Sequence, residues 1–157
     1  MGVGASDAPM GSVRIEQPVA APREKVAEYV SDFRNARHWM VGVENVEPLG
    51  EDEFRLKLDT PVGKLEPGVR ITERADNNIR WVYTSTVEGG GRVEGGGRVE
   101  VEPDGDGCMV RYTGEFRLKS KILGRAAKLA GMERFARKNG ERSLTRLRAL
   151  MEAGRYQ

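Results

Sequence analysis

The stretch from Lys121 to Glu152 constrains the fold more than any other part of the chain. Ile122, Ala126, Leu129, Met132, Ala136, Gly140, Leu144, Leu147 and Met151 follow one another at steps of 4, 3, 3, 4, 4, 4, 3 and 4. Those steps keep all nine on one face of a helix. Ser120 is placed to cap its start, because a serine hydroxyl accepts from an orphan amide of the first turn. The opposite face carries Lys121, Arg125, Lys128, Arg134, Lys138, Arg142 and Arg146. One side of this helix therefore needs an apolar partner and the other faces water.

The partner has to come from upstream, where the pattern changes to alternation. Val13 and Ile15 mark a half-buried first strand. Pro22 suits the first position of a short helix, with Glu24 near its positive end and Val26, Ala27 and Val30 inside. Asp32 or Ser31 can cap a second short helix from Phe33 to about His38. Phe54, Leu56 and Leu58 then alternate with charged neighbours. Pro61-Val62-Gly63 turns the chain, Leu65, Val69 and Ile71 run inward, and Pro67-Gly68 marks a bulge or an edge. Asp76-Asn77-Asn78 and Pro103 to Gly107 are turn chemistry. Ile79, Trp81, Tyr83, Ser85 and Val87, then Val99 and Val101, and finally Cys108, Val110, Tyr112, Gly114, Phe116 and Leu118 give further inward sets. Strands joined by hairpins make an antiparallel sheet. The expected fold is α+β: a curved sheet of about seven strands wrapped around the C-terminal helix, with two short helices after the first strand.

The chain of 157 residues suits one domain, expected over residues 12–153. Residues 1–11 read as a disordered leader and 154–157 as a tail. The leader also fits the loose N-myristoylation pattern (Met1-Gly2 with Ser6), which matters only where the modifying enzyme exists. No apolar run reaches the ~20 residues that span a bilayer. A lone Cys108 excludes an internal disulfide and fits a reducing, cytoplasmic setting. One cysteine and one histidine count against a Cys/His zinc site; a carboxylate-only site stays formally open, and no metal or other cofactor is expected.

The net charge of +2 conceals an asymmetry. From Arg117 onward there are 12 Lys/Arg against 3 Asp/Glu, and before it 14 against 21. A basic helix face suits an anionic membrane or an acidic protein partner; the plainer reading is a solvated face whose charge offsets the sheet's. Nucleic acid is not expected, since the basic residues have little aromatic interleaving.

Four segments resemble a known family. Ala21 to Val26 resembles its "apxexV" helix start. His38 to Val43 resembles its tryptophan-containing link into the second strand. Ile79-Arg80-Trp81 followed by Gly89 to Val101 resembles its "irW…G…G.v.v" hairpin, and Cys108 to Tyr112 its last strand. The family is the START and birch-pollen-allergen superfamily (SRPBCC) of helix-grip proteins, within which the chain is similar to polyketide cyclase/dehydrase-like proteins and to the G-type subunit of carbon monoxide dehydrogenase. The resemblance implies a cavity between sheet and long helix that takes a lipid, an isoprenoid or quinone, or an aromatic polyketide. Fold does not fix function here, because members handle unrelated molecules.

Binding or transport of a hydrophobic small molecule is the leading expectation, with Trp39, Phe54, Leu56, Ile71, Trp81, Tyr83, Val99, Tyr112, Phe116, Met132, Phe135 and Asn139 as candidate ligand contacts. For each, plain core packing is the competing reading. The alternative is a cyclase or dehydratase working in the same cavity, with His38, Tyr83 and Tyr112 as its weak candidates for proton transfer. His38 is the chain's only imidazole, although a histidine at a helix end more often sits at the surface. The duplicated segment from Glu88 to Val99 has no phosphate-loop context: no helix follows it, and there is no Gly-Lys-Ser/Thr. Its glycines are expected to let the hairpin bend or approach the helix, or to form a lid at the cavity mouth.

Overall fold

The computed structural model describes residues 10–60, 63–87, 91–119 and 125–154. Strand β1 spans Met10–Val19, two residues earlier than the expected start of the domain. Helix α1 is Arg23–Ser31. Pro22 stands just before it, in extended conformation rather than inside the first turn, and its carbonyl accepts from the amides of Lys25 and Val26 at 3.0 and 3.1 Å. The second short helix is a 3₁₀ turn, Phe33–Asn35, running into α2, Ala36–Trp39. Asp32 caps that turn, its carboxylate accepting from the Arg34 amide at 3.1 Å and from the Arg34 guanidinium at 2.9 and 2.8 Å. The leader before Met10, the cap at Ser120 and most of the Pro61-Val62-Gly63 turn lie outside the described residues.

The remaining strands are β2 (Val43–Pro48), β3 (Glu53–Thr60), β4 (Gly63–Leu65), β5 (Gly68–Ala75), β6 (Asn78–Val87), β7 (Gly91–Asp104) and β8 (Gly107–Lys119). Asn78, read from sequence as turn, opens β6. The sheet runs β1-β8-β7-β6-β5-β3-β2 with β4 on β3, and its pairs are antiparallel. Leu65 and Val69 therefore belong to two strands, not one. Pro67-Gly68 stands at the break, where β3 exchanges β4 for β5 as partner; proline has no amide to give a ladder. β1 and β2 occupy opposite edges, so α1 and α2 carry the chain from one edge to the other.

Helix α3, Arg125–Glu152, packs against β1 and β8. Leu144, Leu147 and Met151 are fully buried in the main core with α1 and the sheet, each contributing about 1.5–3 kcal/mol from burial. Two carboxylates tie the helix to the β1 edge: Glu133 accepts from the Ser12 amide at 3.3 Å and Glu152 from the Ala20 amide at 2.8 Å. The core is not continuous along α3. Met132 joins Val93, Phe116 and Leu118 in a separate cluster, edged by Leu129 and Ala136.

The two glycines of α3 play different parts. At Gly140 a Cβ would collide with the Ile15 side chain and lie 3.5 Å from the Tyr112 ring, so the helix lies tight against β1 and β8 here. At Gly131 a Cβ would meet nothing within 4 Å. Gly131→Ala is therefore expected to raise stability by about 0.5–1 kcal/mol, the helix-propensity difference, in denaturant unfolding. Gly140→Ala should gain nothing, because the clash with Ile15 offsets that term.

Candidate functional site

The sheet register brings small and aromatic residues together. Trp81 of β6 is paired with Gly97 of β7, which is paired with Gly114 of β8; Tyr83 is paired with Gly95, and Gly95 with Phe116. A Cβ on Gly97 would fall on the Trp81 indole, 2.6 Å from Cε2. One on Gly95 would meet the carbonyl oxygen of Glu115 and lie 2.7 Å from the Tyr83 hydroxyl. One on Gly114 would lie 2.7 Å from the Tyr112 hydroxyl. Three aromatic side chains thus lie down over a floor of glycines instead of standing up from the sheet. Of the duplicated glycines, Gly95 and Gly97 serve this purpose. Arg92 to Arg98 run within β7, paired on both sides, so these residues are strand and not lid, and Val93 among them packs in one cluster with Met132 of the long helix; Glu88 to Gly90 lie outside the described residues.

The flattened rings leave room beneath the middle of α3, from Met132 to Leu144. A cavity of about 160 Å³, partly open, lies between that stretch of the helix, the sheet and the α2–β2 turn. Trp81 and Tyr112 stack in its wall, centroids 6.3 Å apart at 26°. Trp81 also meets Phe33 at 5.4 Å, and Phe33 meets Phe54 at 5.3 Å, so an aromatic row crosses the sheet from β8 to β3. An apolar cavity of 150 Å³ takes a benzene. This one accommodates a single ring or a short acyl segment.

Of the candidate contacts, Trp39, Leu56, Trp81, Tyr83, Tyr112, Phe116, Met132, Phe135 and Asn139 line the cavity. Phe54, Ile71 and Val99 do not. They are buried in the main core behind its wall, Phe54 against Phe33. His38 is exposed on α2 and does not converge with either tyrosine. Sequence reasoning passed over Phe33, Met40, Leu58, Leu65, Val93 and Ser143 as lining. For Ser143 a signal existed: it follows Asn139 by one helical turn. Its buried hydroxyl accepts from the Val41 amide at 2.9 Å and donates to the Asn139 carbonyl at 2.7 Å, fixing the α2–β2 turn against α3.

Of the polar side chains in the wall, Ser143 and Thr60 are engaged, Thr60 donating to the Gly63 carbonyl at 2.7 Å. Among the described residues neither the Tyr83 nor the Tyr112 hydroxyl has a hydrogen-bond partner, and the Asn139 side-chain amide has none either. Burial pushes the Tyr112 phenol up to about 12. Burial also raises Tyr83, helped by the neighbouring Tyr112 and Glu115 charges. Both are neutral phenols at neutral pH, able to donate a hydrogen bond and unable to act as bases. Among the described residues no group of three or more His, Cys, Asp or Glu is arranged to hold a metal, and no helix is long and apolar enough to cross a membrane.

A curled antiparallel sheet gripping a long C-terminal helix, with a greasy cavity between them, defines the helix-grip class. Residues 10–152 match the model of the family described as polyketide cyclase / dehydrase and lipid transport. The chain belongs to that family. Among solved structures, a START superfamily protein from Mycobacterium smegmatis is similar over 92% of this chain and 97% of its own, at 21% identity and a TM-score of 0.67. A conserved protein from Geobacillus kaustophilus aligns over 93% of this chain and 97% of its own, with a TM-score of 0.73 and 18% identity. The di-domain ARO/CYC StfQ of the steffimycin biosynthetic pathway matches 98% of this chain through 54% of its own length, with a TM-score of 0.69 and 13% identity. These likenesses are of fold. Among curated proteins none matches by sequence.

Proposed function

We propose that this protein binds or carries a hydrophobic small molecule whose ring enters the cavity and whose acceptor group meets the Tyr83 and Tyr112 hydroxyls. The observation that carries the reading is the pair of phenol hydroxyls without a hydrogen-bond partner among the described residues, on half-buried side chains that line a largely apolar wall. A ligand oxygen that accepts from them gains about 0.5–1.5 kcal/mol per hydrogen bond. Trp39, Trp81 and Phe135 supply contact area, and Asn139 a third polar handle. Lipids, isoprenoids or quinones, and aromatic polyketides all combine an apolar body with such an acceptor.

Both tryptophans of the chain line the cavity, so intrinsic fluorescence reports its occupancy. Titration with acetophenone is expected to give saturable binding, weakened several-fold in Tyr112→Phe, while ethylbenzene binds wild type and variant alike. Native mass spectrometry of detergent-free protein should show a co-purifying apolar mass. Absence of saturable binding by both probes, with no co-purifying mass, would refute the reading.

A second reading is a cyclase or dehydratase in the same cavity. The neutral phenols favour it, because each can give a proton to a carbonyl oxygen while the walls hold a chain in reactive geometry. The fold of StfQ is consistent with it. His38 is exposed, the commoner place for a histidine at a helix end, which leaves Tyr83 and Tyr112 as the candidates that line the cavity. Turnover of a poly-ketone chain, lost in Tyr83→Phe, would decide for catalysis.

A further inference from the structure

The charged residues of α3 are distributed unlike those of the sheet. On the sheet, Arg55, Lys64, Arg74, Arg92, Arg98, Arg111 and Lys119 each have an acidic partner within 4.0 Å, and the bases without an ion pair among the described residues, Arg14, Lys57, Arg70, Arg80 and Arg117, are scattered one to a strand over β1, β3, β5, β6 and β8. On α3, Arg148 pairs with Glu152. Arg134, Arg137, Lys138, Arg142 and Arg146 are exposed and, among the described residues, form neither an ion pair nor a side-chain hydrogen bond. The acidic residues nearest them on the helix are Glu133, which is held by the Ser12 amide, and Glu141.

Their placement matters as much as their number. Arg134, Lys138, Arg142 and Arg146 follow at four-residue steps, so they form one ridge about 18 Å long. The β1 flank of α3 is fastened by Glu133 and Glu152. Phe135 and Asn139, each next in sequence to a member of the ridge, line the cavity. The ridge therefore runs beside the cavity's helical wall.

We propose that this ridge is a docking surface for an anionic phospholipid bilayer, and that docking sets the cavity beside the headgroups. The choice of a bilayer over an acidic protein rests on what the ridge lacks. Specific protein interfaces are anchored by buried aromatic and apolar side chains at their centre. The exposed large hydrophobics among the described residues are Leu49 and Val82, in the β2–β3 turn and on β6, and neither belongs to the helix. A charged membrane requires no such anchor, since each basic residue near it contributes on its own. The docking surface stands on charge and position; the reading of the cavity supplies only its use.

The test is co-sedimentation of the full chain with vesicles of phosphatidylcholine, with and without a minority of phosphatidylserine, at about 0.1 M salt, where exposed charges act over about 10 Å. Wild type is expected to bind the anionic vesicles and not the neutral ones. Lys138→Gln with Arg142→Gln should lower that partitioning roughly 25-fold. Arg14→Gln with Arg80→Gln, the same change in net charge on exposed sheet residues, should leave it unchanged. Equal binding to both vesicles, or equal loss in the two double variants, would overturn the proposal. So would binding to polyglutamate without binding to vesicles. Fluorescence titration of the cavity in the Lys138→Gln, Arg142→Gln protein is expected to match wild type, so loss of docking and loss of the cavity ligand are read separately.

Discussion

Gly97→Ala is expected to abolish ring binding and to lower unfolding stability by about 1–3 kcal/mol, the usual range for overpacking a close-packed site. The added methyl would occupy the place of the Trp81 indole, with Cε2 at 2.6 Å and Cη2 at 3.0 Å. An indole is rigid, and the Trp81 backbone is held by strand pairing on both sides, to Ile71 and to Gly97. Relief must come by rotating the ring up from the floor, into the space it now roofs. Gly95→Ala should cost at least as much, because its methyl meets the Glu115 carbonyl, which can retreat only by opening the β7–β8 ladder. Gly68→Ala is the control: nothing lies within 4 Å of its Cβ, so both stability and binding should stay near wild type. Urea unfolding with tryptophan-monitored titration of the three variants measures both effects. A Gly97→Ala protein that binds acetophenone as wild type does would show that the flattened rings do not make the cavity.

What could be read in advance followed periodicity. The 3.6-residue repeat of α3 from Leu129 onward and the alternation of β3, β6 and β8 named the inward residues correctly, because burial on one face leaves a direct trace in the sequence; Ile122 lies outside the described residues, as does the side chain of Ala126. Alternation gives the face of a residue but not its distance from the opening. Val99 and Ile71 point inward like Tyr83 and Leu58, yet Val99 lies towards the end of β7, where α1 packs and the interior is filled. Tyr83 and Leu58 lie where the interior faces the middle of α3, Met132 to Leu144, and is left open. The glycines of β7 misled for another reason. Glycine is a weak strand former and reads as punctuation. Here the strand state is imposed by two neighbours and by aromatic rings that fit only where a side chain is missing. His38 was attractive as the only imidazole, but a residue's uniqueness carries no information about which way a four-residue helix turns it.

Raising the pH above 10 is expected to destabilise this protein more steeply than a Tyr112→Phe variant, by about 2–3 kcal/mol at pH 12. Tyrosine is charged when deprotonated, so burial favours the protonated form and raises the pKa in the native state. Unfolded, the phenol ionises near its ordinary value of ~10; in the native protein Tyr112 waits until about 12. Between those values the native state holds a proton that the unfolded state has lost. Stability is therefore full below pH ~10 and falls as the pH climbs towards 12, at ~1.36 kcal/mol per unit for one such group. Tyr83 is raised in the same direction and deepens the fall. Phenylalanine keeps the ring stacked on Trp81 while removing the titrating proton, so the difference between the two urea-unfolding series isolates Tyr112 from the lysines that ionise in the same range. Parallel curves between pH 10 and 12 would mean that the hydroxyl is solvated. A wet hydroxyl at that position would also deprive a bound carbonyl of its dry hydrogen-bond donor, so the same measurement bears on the stability of the fold and on the chemistry of the cavity.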